Sequence, residues 1–267
     1  MTTMTRPSPP VDPVGVDLTR TLRALKLGGM ADTLPERLVL ARQQHLGHAA
    51  FLELVLSDEV TRREGRSATL RAAKAGLDPT MRLDTFDDQP DLSYDRQLWS
   101  DLTTLRFAEA GTGVLILGPV GVGKTHLATA LGHIAIRRRM TVGFHRADKL
   151  FTRLRAARLD NTLDAELRRL TSIDLLIVDD FALRALDATQ TNDFYEIVVE
   201  RHRRNPTIWV SNREPAEWLG LTTDALLAQS AIDRLTSGAH TLVVEGPSYR
   251  QRGRVTVDPR NENRHAR

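Results

Sequence analysis

The chain has 267 residues, which suits one domain of ordinary size, or such a domain with a small appendage. Hydrophobic residues make up 41% and charged residues 27%, so a sizeable core can form; the 5% aromatic content argues against a stacking platform for single-stranded nucleic acid. The net charge of +3 is compatible with nucleic acid as a partner. The absence of cysteine excludes disulfides and Cys-based zinc sites.

The two ends of the chain are polar. No apolar run reaches the roughly 20 residues that a membrane helix needs, and the first residues lack the apolar stretch of a signal peptide. We therefore expect a cytoplasmic protein with no membrane partner. Residues 1–16, rich in Pro, Ser and Thr, are expected to be disordered, and so is the basic tail at 253–267.

Residues 17–76 have the apolar spacing of helices. Leucines recur at intervals of three or four in two segments, and a third stripe leads into a run of arginines. This pattern predicts a small all-helical N-terminal domain. Glycine, proline and aspartate then punctuate residues 77–93, which is typical of a linker.

From residue 94 to residue 252, helical and strand patterns alternate. A helix is predicted at 94–110, and helices separate all the later strands. Alternation of this kind predicts a parallel sheet with helices on both faces. Five strands are expected, at 114–117, 141–144, 174–178, 207–210 and 240–244.

A glycine-rich loop lies between the first strand and the next helix. It matches GxxxxGK[ST] in full, with Gly118, Pro119, Val120, Gly121, Val122, Gly123, Lys124 and Thr125. In such a loop the backbone N–H groups surround phosphates at a helix N-terminus. We expect Lys124 to reach the β- and γ-phosphates of ATP and Thr125 to hold Mg²⁺. The next residue, His126, completes the predicted nucleotide-binding set.

Two carboxylates follow the apolar run at 175–178. Ligands of open α/β folds bind at the carboxyl edge of the sheet, where Asp179 and Asp180 should lie. We expect Asp179 to bind Mg²⁺ and Asp180 to orient or deprotonate the attacking water.

Two further polar residues are candidates for the same reaction. Asn212 ends the fourth strand and could contact the γ-phosphate and the water. Arg234 could reach the γ-phosphate of a neighbouring subunit. A salt bridge on a helix surface is the alternative for Arg234, and the sequence alone does not choose between them.

The ordered motifs resemble the IstB family of AAA+ ATPases, the transposition helpers of insertion sequences, and the related DnaC-type helicase loaders. The resemblance covers about residues 18–252. It is carried by segments at 25–30, 51–63, 83–88, 123–128, 174–181, 211–218, 232–235 and 246–250.

This resemblance implies an ATP-dependent homo-oligomer that assembles on duplex DNA and assists a cognate transposase. It gives Arg234 the place of an arginine finger acting in trans, Asn212 that of sensor 1, and Arg250 that of sensor 2. The sequence departs from the family at Ala182, where glycine is usual, so a Cβ occupies a position that could require a positive φ.

Clusters at Arg137–Arg139 and at Arg153, Arg155 and Arg158 are candidates for contacts with the DNA backbone. Three other functions stay open at this point: a loader of a replicative helicase, a P-loop kinase active as a monomer, and a nucleotide binder that does not hydrolyse.

Overall fold

The computed structural model describes residues 14–88 and 90–249. The predictions for residues 1–13, for Arg250 and for the tail at 253–267 lie outside this part. Contacts divide the chain into a helical unit that ends at Thr69 and a sheet unit that begins at Leu70. The boundary expected from the sequence was residue 76. The division by contacts lies earlier, inside a long helix that spans His48–Ala75.

The helical unit contains α1 (Val16–Ala24), α2 (Met30–Gln43) and most of α3 (His48–Ala75). Its core is small and is formed by Val14, Leu22, Met30, Leu34 and Val55. The apolar residues of α3 do not all face this core. Leu52, Leu56 and Val60 are exposed, so the stripe expected from the sequence is split between an inner and an outer face.

The sheet unit begins with the end of α3, and two short helices precede the first strand. The strands are β1 (Val114–Leu117), β2 (Val142–Arg146), β3 (Leu175–Phe181), β4 (Thr207–Ser211) and β5 (His240–Val243). The helices are α4 (Arg96–Thr103), α5 (Arg106–Glu109), α6 (Lys124–Arg137), α7 (Ala147–Leu159), α8 (Leu163–Ser172), α9 (Ala188–Arg201), α10 (Pro215–Trp218) and α11 (Ala225–Thr236).

All five strands are parallel, in the order β2-β3-β4-β1-β5. This confirms the predicted fold class. The central strands are largely apolar, and β1 is apolar and buried throughout, because helices cover both faces. Leu117 at the end of β1 pairs with Ser211 at the end of β4, so the residues that follow both strands meet at one edge of the sheet.

The third strand is longer than expected. It continues through both aspartates to Phe181, with an irregular register between Val178 and Phe181. The Phe181 ring is the reason for this extension: it packs against the rings of Phe194, Trp209 and Trp218, with centroids 4.7 to 4.8 Å apart. Asp179 and Asp180 therefore lie within a strand, between the buried residues Val178 and Phe181, rather than in a loop.

The helix predicted at 94–110 is two helices. Leu105 separates them in the left-handed conformation, with φ of 57°. Its side chain is 1% exposed, so burial in the core stabilises a backbone conformation that is uncommon for leucine.

Across residues 14–88 and 90–249, no helix combines the length and the apolar character needed to cross a bilayer.

Candidate functional site

The loop at 118–125 joins β1 to α6, as its motif requires. Gly118, Gly121 and Gly123 have φ of 144°, 91° and 98°. A Cβ on Gly118 would lie 2.0 Å from the carbonyl oxygen of Val244. These glycines let the backbone turn inward and pass close to the segment after β5, which leaves a concave backbone surface suited to phosphates.

Lys124 begins α6 and is 9% exposed. Its Nζ donates a hydrogen bond to the carbonyl oxygen of Pro119, 2.7 Å away, so the ammonium lies over the loop. Val122 is buried, and Val120 is exposed at the crest of the loop. A cation and a helix N-terminus thus face the same small volume, which favours an anion there.

Thr125 and Asp179 meet in this site. The Thr125 hydroxyl donates to the carboxylate, at 3.1 and 3.3 Å from its two oxygens. Asp179 is 3% exposed. Burial raises the pKa of Asp179, and the neighbouring charge of Asp180 adds to this effect. A hydroxyl and a buried carboxylate in contact fit a divalent cation, which would relieve the burial of that charge.

Asp180 is more exposed than Asp179 and has a cationic partner. Its side chain is 44% exposed, and its carboxylate lies 3.4 Å from a guanidinium nitrogen of Arg146, at the end of β2. The backbone of Asp180 has φ of 53° and that of Ala182 has φ of 56°. The positive φ expected at Ala182 is therefore confirmed.

Asn212 lies in the same cavity, directly after β4. The preceding residue fixes the turn: the Ser211 hydroxyl donates to the carbonyl oxygen of Phe181 at 2.8 Å and accepts from the backbone N–H of Arg213 at 3.1 Å. These bonds tie the end of β4 to the end of β3, so the amide of Asn212 and the two carboxylates are held at one edge.

The cavity over the loop has a volume of about 690 Å³. Val120 to His126, Asp179, Asp180 and Asn212 all line it, so the tertiary structure brings together most of the predicted site. Gly118 and Pro119 shape the loop from behind. Arg250 lies outside the described residues.

One wall of this cavity was not predicted. The segment expected to be a linker packs along α6, where His126 bonds the carbonyl oxygen of Arg82 at 2.7 Å and His133 bonds that of Asp78 at 2.8 Å. Phe86 then packs edge-on against the ring of His126. The resemblance at 83–88 was the available signal, since a linker has no reason to share residues with a family.

Arg234 lies elsewhere. It lines a second cavity, of about 250 Å³, together with Gly111 to Gly113 before β1 and Thr207 at the start of β4. This is the amino edge of the sheet. A guanidinium nitrogen of Arg234 donates to the carbonyl oxygen of Ser230 at 2.8 Å. Arg234 is therefore on the opposite edge from the phosphate-binding loop of its own chain.

The two arginine clusters lie on different helices. Arg137, Arg138 and Arg139 are exposed at the end of α6. On α7 each candidate arginine has a carboxylate partner. The pairs are Arg153–Glu166, Arg155–Asp187 and Arg158–Asp193.

Solved structures share this fold. A crystal structure of the DnaC helicase loader has a TM-score of 0.53 and 19% identity, and the match covers 62% of this chain and 97% of that one. AMPPCP-bound DnaA from Aquifex aeolicus has a TM-score of 0.52 and 24% identity, over 64% of this chain and 51% of that one. At these identities the likeness shows the fold alone, which is the AAA+ type of P-loop NTPase.

Sequence relatives match over most of the chain. An insertion-sequence ATP-binding protein of Mycobacterium tuberculosis is 38% identical over 238 residues, 89% of this chain and 95% of that protein. The IS21 ATP-binding protein of Pseudomonas aeruginosa is 31% identical over 229 residues, 86% of each chain. The family described as IstB-like ATP binding protein matches residues 20–257. The chain therefore belongs to the IstB-like ATP-binding proteins of insertion sequences.

Proposed function

We propose that this protein is an Mg²⁺-dependent ATPase that oligomerises on duplex DNA in the cytoplasm and assists a cognate transposase in target-site selection and insertion. One observation supports the proposal: the phosphate-binding loop, both aspartates and Asn212 line a cavity at one edge of the sheet, and Arg234 lies at the other edge. A site divided in this way is complete only when a second copy docks against the first.

Each residue of the first edge has a role within its own subunit. The glycines and Lys124 hold the phosphates, while Thr125 and Asp179 would hold Mg²⁺, whose charge offsets that of the β- and γ-phosphates. Asp180 is exposed to the cavity and accepts a proton from the attacking water or orients it, and Asn212 positions the same water. Arg146, which pairs with Asp180, has to release it for this step.

Arg234 acts on the ATP of a neighbouring subunit. The strand from Gly113 to Gly118 separates the two edges by roughly 16 Å, at 3.3 Å per residue. Because one chain cannot bring Arg234 to its own γ-phosphate, hydrolysis requires a head-to-tail contact between copies. Bound ATP then stabilises the assembly, and its hydrolysis limits the lifetime of the assembly.

The insertion-sequence relatives support the biological part of the proposal. They are ATP-binding proteins of insertion sequences, which implies a transposase as the partner. The exposed arginines at 137–139 offer phosphate contacts without any base-reading motif. The α7 arginines each pair with a carboxylate, and each would have to release it to contact DNA.

Mixing two inactive variants tests the divided site. Lys124→Ala removes phosphate binding and Arg234→Ala removes the trans cation, so each alone should lose most ATP turnover. In a mixture, an interface between an intact Arg234 and an intact Lys124 exists again, and part of the activity should return. A P-loop kinase acting as a monomer would recover nothing.

Light scattering of the wild-type chain, with and without ATP and duplex DNA, tests assembly. We expect growth of the particle only with both ligands, and stimulation of ATP turnover by DNA. Turnover indifferent to DNA, together with no change in size, would refute the proposal. Binding of a replicative helicase ring instead of a transposase would identify a helicase loader.

A further inference from the structure

More than one cationic side chain lines the cavity around Arg234. Its lining includes Arg201, His202, Arg203 and Arg234, and no aspartate or glutamate of the described part of the chain lines it. Burial lowers the pKa of His202, and the charges of Arg203 and Arg234 lower it further. The wall of this cavity therefore carries concentrated positive charge.

The charges of these arginines are not neutralised within the chain. Within residues 14–88 and 90–249, neither Arg203 nor Arg234 forms an ion pair with a carboxylate, whereas the three arginines of α7 all do. The next residue, Arg204, pairs with Glu200 at 3.6 Å, as expected for a helix-end arginine on the surface. Arg203, by comparison, has no carboxylate partner among the described residues and lines the cavity.

The backbone of Arg203 is held in an uncommon conformation. Its φ is 56°, in the left-handed region. A Cβ on Gly111 would lie 3.2 Å from the carbonyl carbon of Arg203, so the two backbones are in close contact. The buried Arg201 stabilises the loop that follows α9. Its guanidinium donates to the carbonyl oxygens of Leu170, Ile173 and Pro206 at 2.6 to 2.8 Å. These contacts therefore fix the backbone that carries the Arg203 side chain.

We infer that Arg203 is a second trans-acting cation: together with Arg234 it forms a pocket for the triphosphate of the ATP bound to a neighbouring copy. This inference rests on the proposed function. A recessed pocket of about 250 Å³ suits a compact polyphosphate, whereas DNA phosphates along a duplex are met by protruding side chains. Head-to-tail assembly also needs two different faces, and this chain carries an ATP cavity on one and the cations on the other.

Arg203→Asn is the sharpest test, because asparagine tolerates a left-handed φ and removes the charge. Its thermal unfolding should match that of the wild type. The affinity of the unassembled chain for MgATP should stay within about twofold, while turnover of the assembled protein falls roughly 10- to 100-fold. Arg203→Lys should retain more activity than Arg203→Asn. Arg204→Gln, the matched control, should stay within about twofold of wild type.

Mixing experiments locate the action of Arg203. Arg203→Asn mixed with Lys124→Ala should regain turnover, because a Lys124→Ala subunit supplies both arginines to an intact ATP site. Arg203→Asn mixed with Arg234→Ala should regain none, since every interface then lacks one of the two cations.

Three outcomes would overturn the inference. Normal turnover of Arg203→Asn, while Arg234→Ala is defective and rescued in trans, would reject the second cation and leave the proposed function intact. Rescue of neither variant by Lys124→Ala would reject the divided site itself. Unchanged turnover at saturating duplex DNA, with weaker duplex binding and a salt slope lower by about one, would assign Arg203 to a DNA phosphate.

Discussion

Replacing Asp179 by asparagine should stabilise the nucleotide-free protein while removing its function. The carboxylate is 3% exposed, has the Thr125 hydroxyl as a hydrogen-bond donor, and lies beside the charge of Asp180. Asparagine keeps an oxygen for that hydroxyl and removes the buried charge. We expect a gain of about 1–2 kcal/mol in unfolding free energy. That gain corresponds to roughly 2–8 °C in Tm for a unit of this size.

The gain should depend on pH in a defined direction. Burial raises the pKa of Asp179, so the folded protein binds the proton more readily than the unfolded chain. The penalty is therefore fully present above the folded pKa and disappears as pH falls through it towards the ordinary value. The difference in Tm between Asp179→Asn and wild type should shrink as the solution is acidified.

Thermal unfolding with and without MgATP completes the test. Saturation at about 100 times Kd should add about 2.7 kcal/mol to the wild type. The variant lacks the carboxylate that we propose as a ligand of Mg²⁺ and should gain much less, so the difference between the two Tm values shrinks or changes sign. A nucleotide-free variant less stable than wild type, or an equal response to MgATP, would show that Asp179 is a structural carboxylate.

Three further predictions concern other parts of the sheet unit. Arg201→Met should lower the unfolding free energy by about 3 kcal/mol or more in urea, because it leaves several buried carbonyl oxygens without a donor; a loss below 1 kcal/mol would contradict this. Burial, followed by the charge of Arg169, lowers the pKa of His145 to about 4. Stability should be full above pH 6.5 and fall towards pH 4, by up to about 3 kcal/mol. His145→Gln should flatten that part of the profile, and an unchanged slope would refute the assignment. Gly118→Ala should abolish ATP binding in a fluorescence titration, since its Cβ would lie 2.0 Å from a carbonyl oxygen. The control Gly65→Ala, with nothing within 4 Å of the new Cβ, should bind normally and be more stable by about 0.5–1 kcal/mol.

Local patterns were sufficient to predict which residues meet at the carboxyl edge of the sheet. The spacing of Gly118 to Thr125, an apolar strand before Asp179 and a polar end to β4 each depend on residues adjacent in the chain. Parallel strands then bring their carboxyl ends to one edge whatever the details of packing, which is why Asn212 and the aspartates could be assigned to one site.

Contacts between residues distant in sequence decided the remaining features. The extension of β3 depends on the partners of Phe181, and the second wall of the ATP cavity depends on His126 and His133 binding carbonyl groups more than forty residues away. Whether the charge of an arginine is neutralised likewise depends on its neighbours in space. Arg158 pairs with Asp193, whereas Arg203 pairs with no carboxylate among the described residues. The sequence alone therefore predicted which groups would hold and hydrolyse a nucleotide. Only the tertiary structure placed Arg234 on the opposite edge with Arg203 beside it, because charge pairing and burial are set by residues that the chain brings together only when it folds.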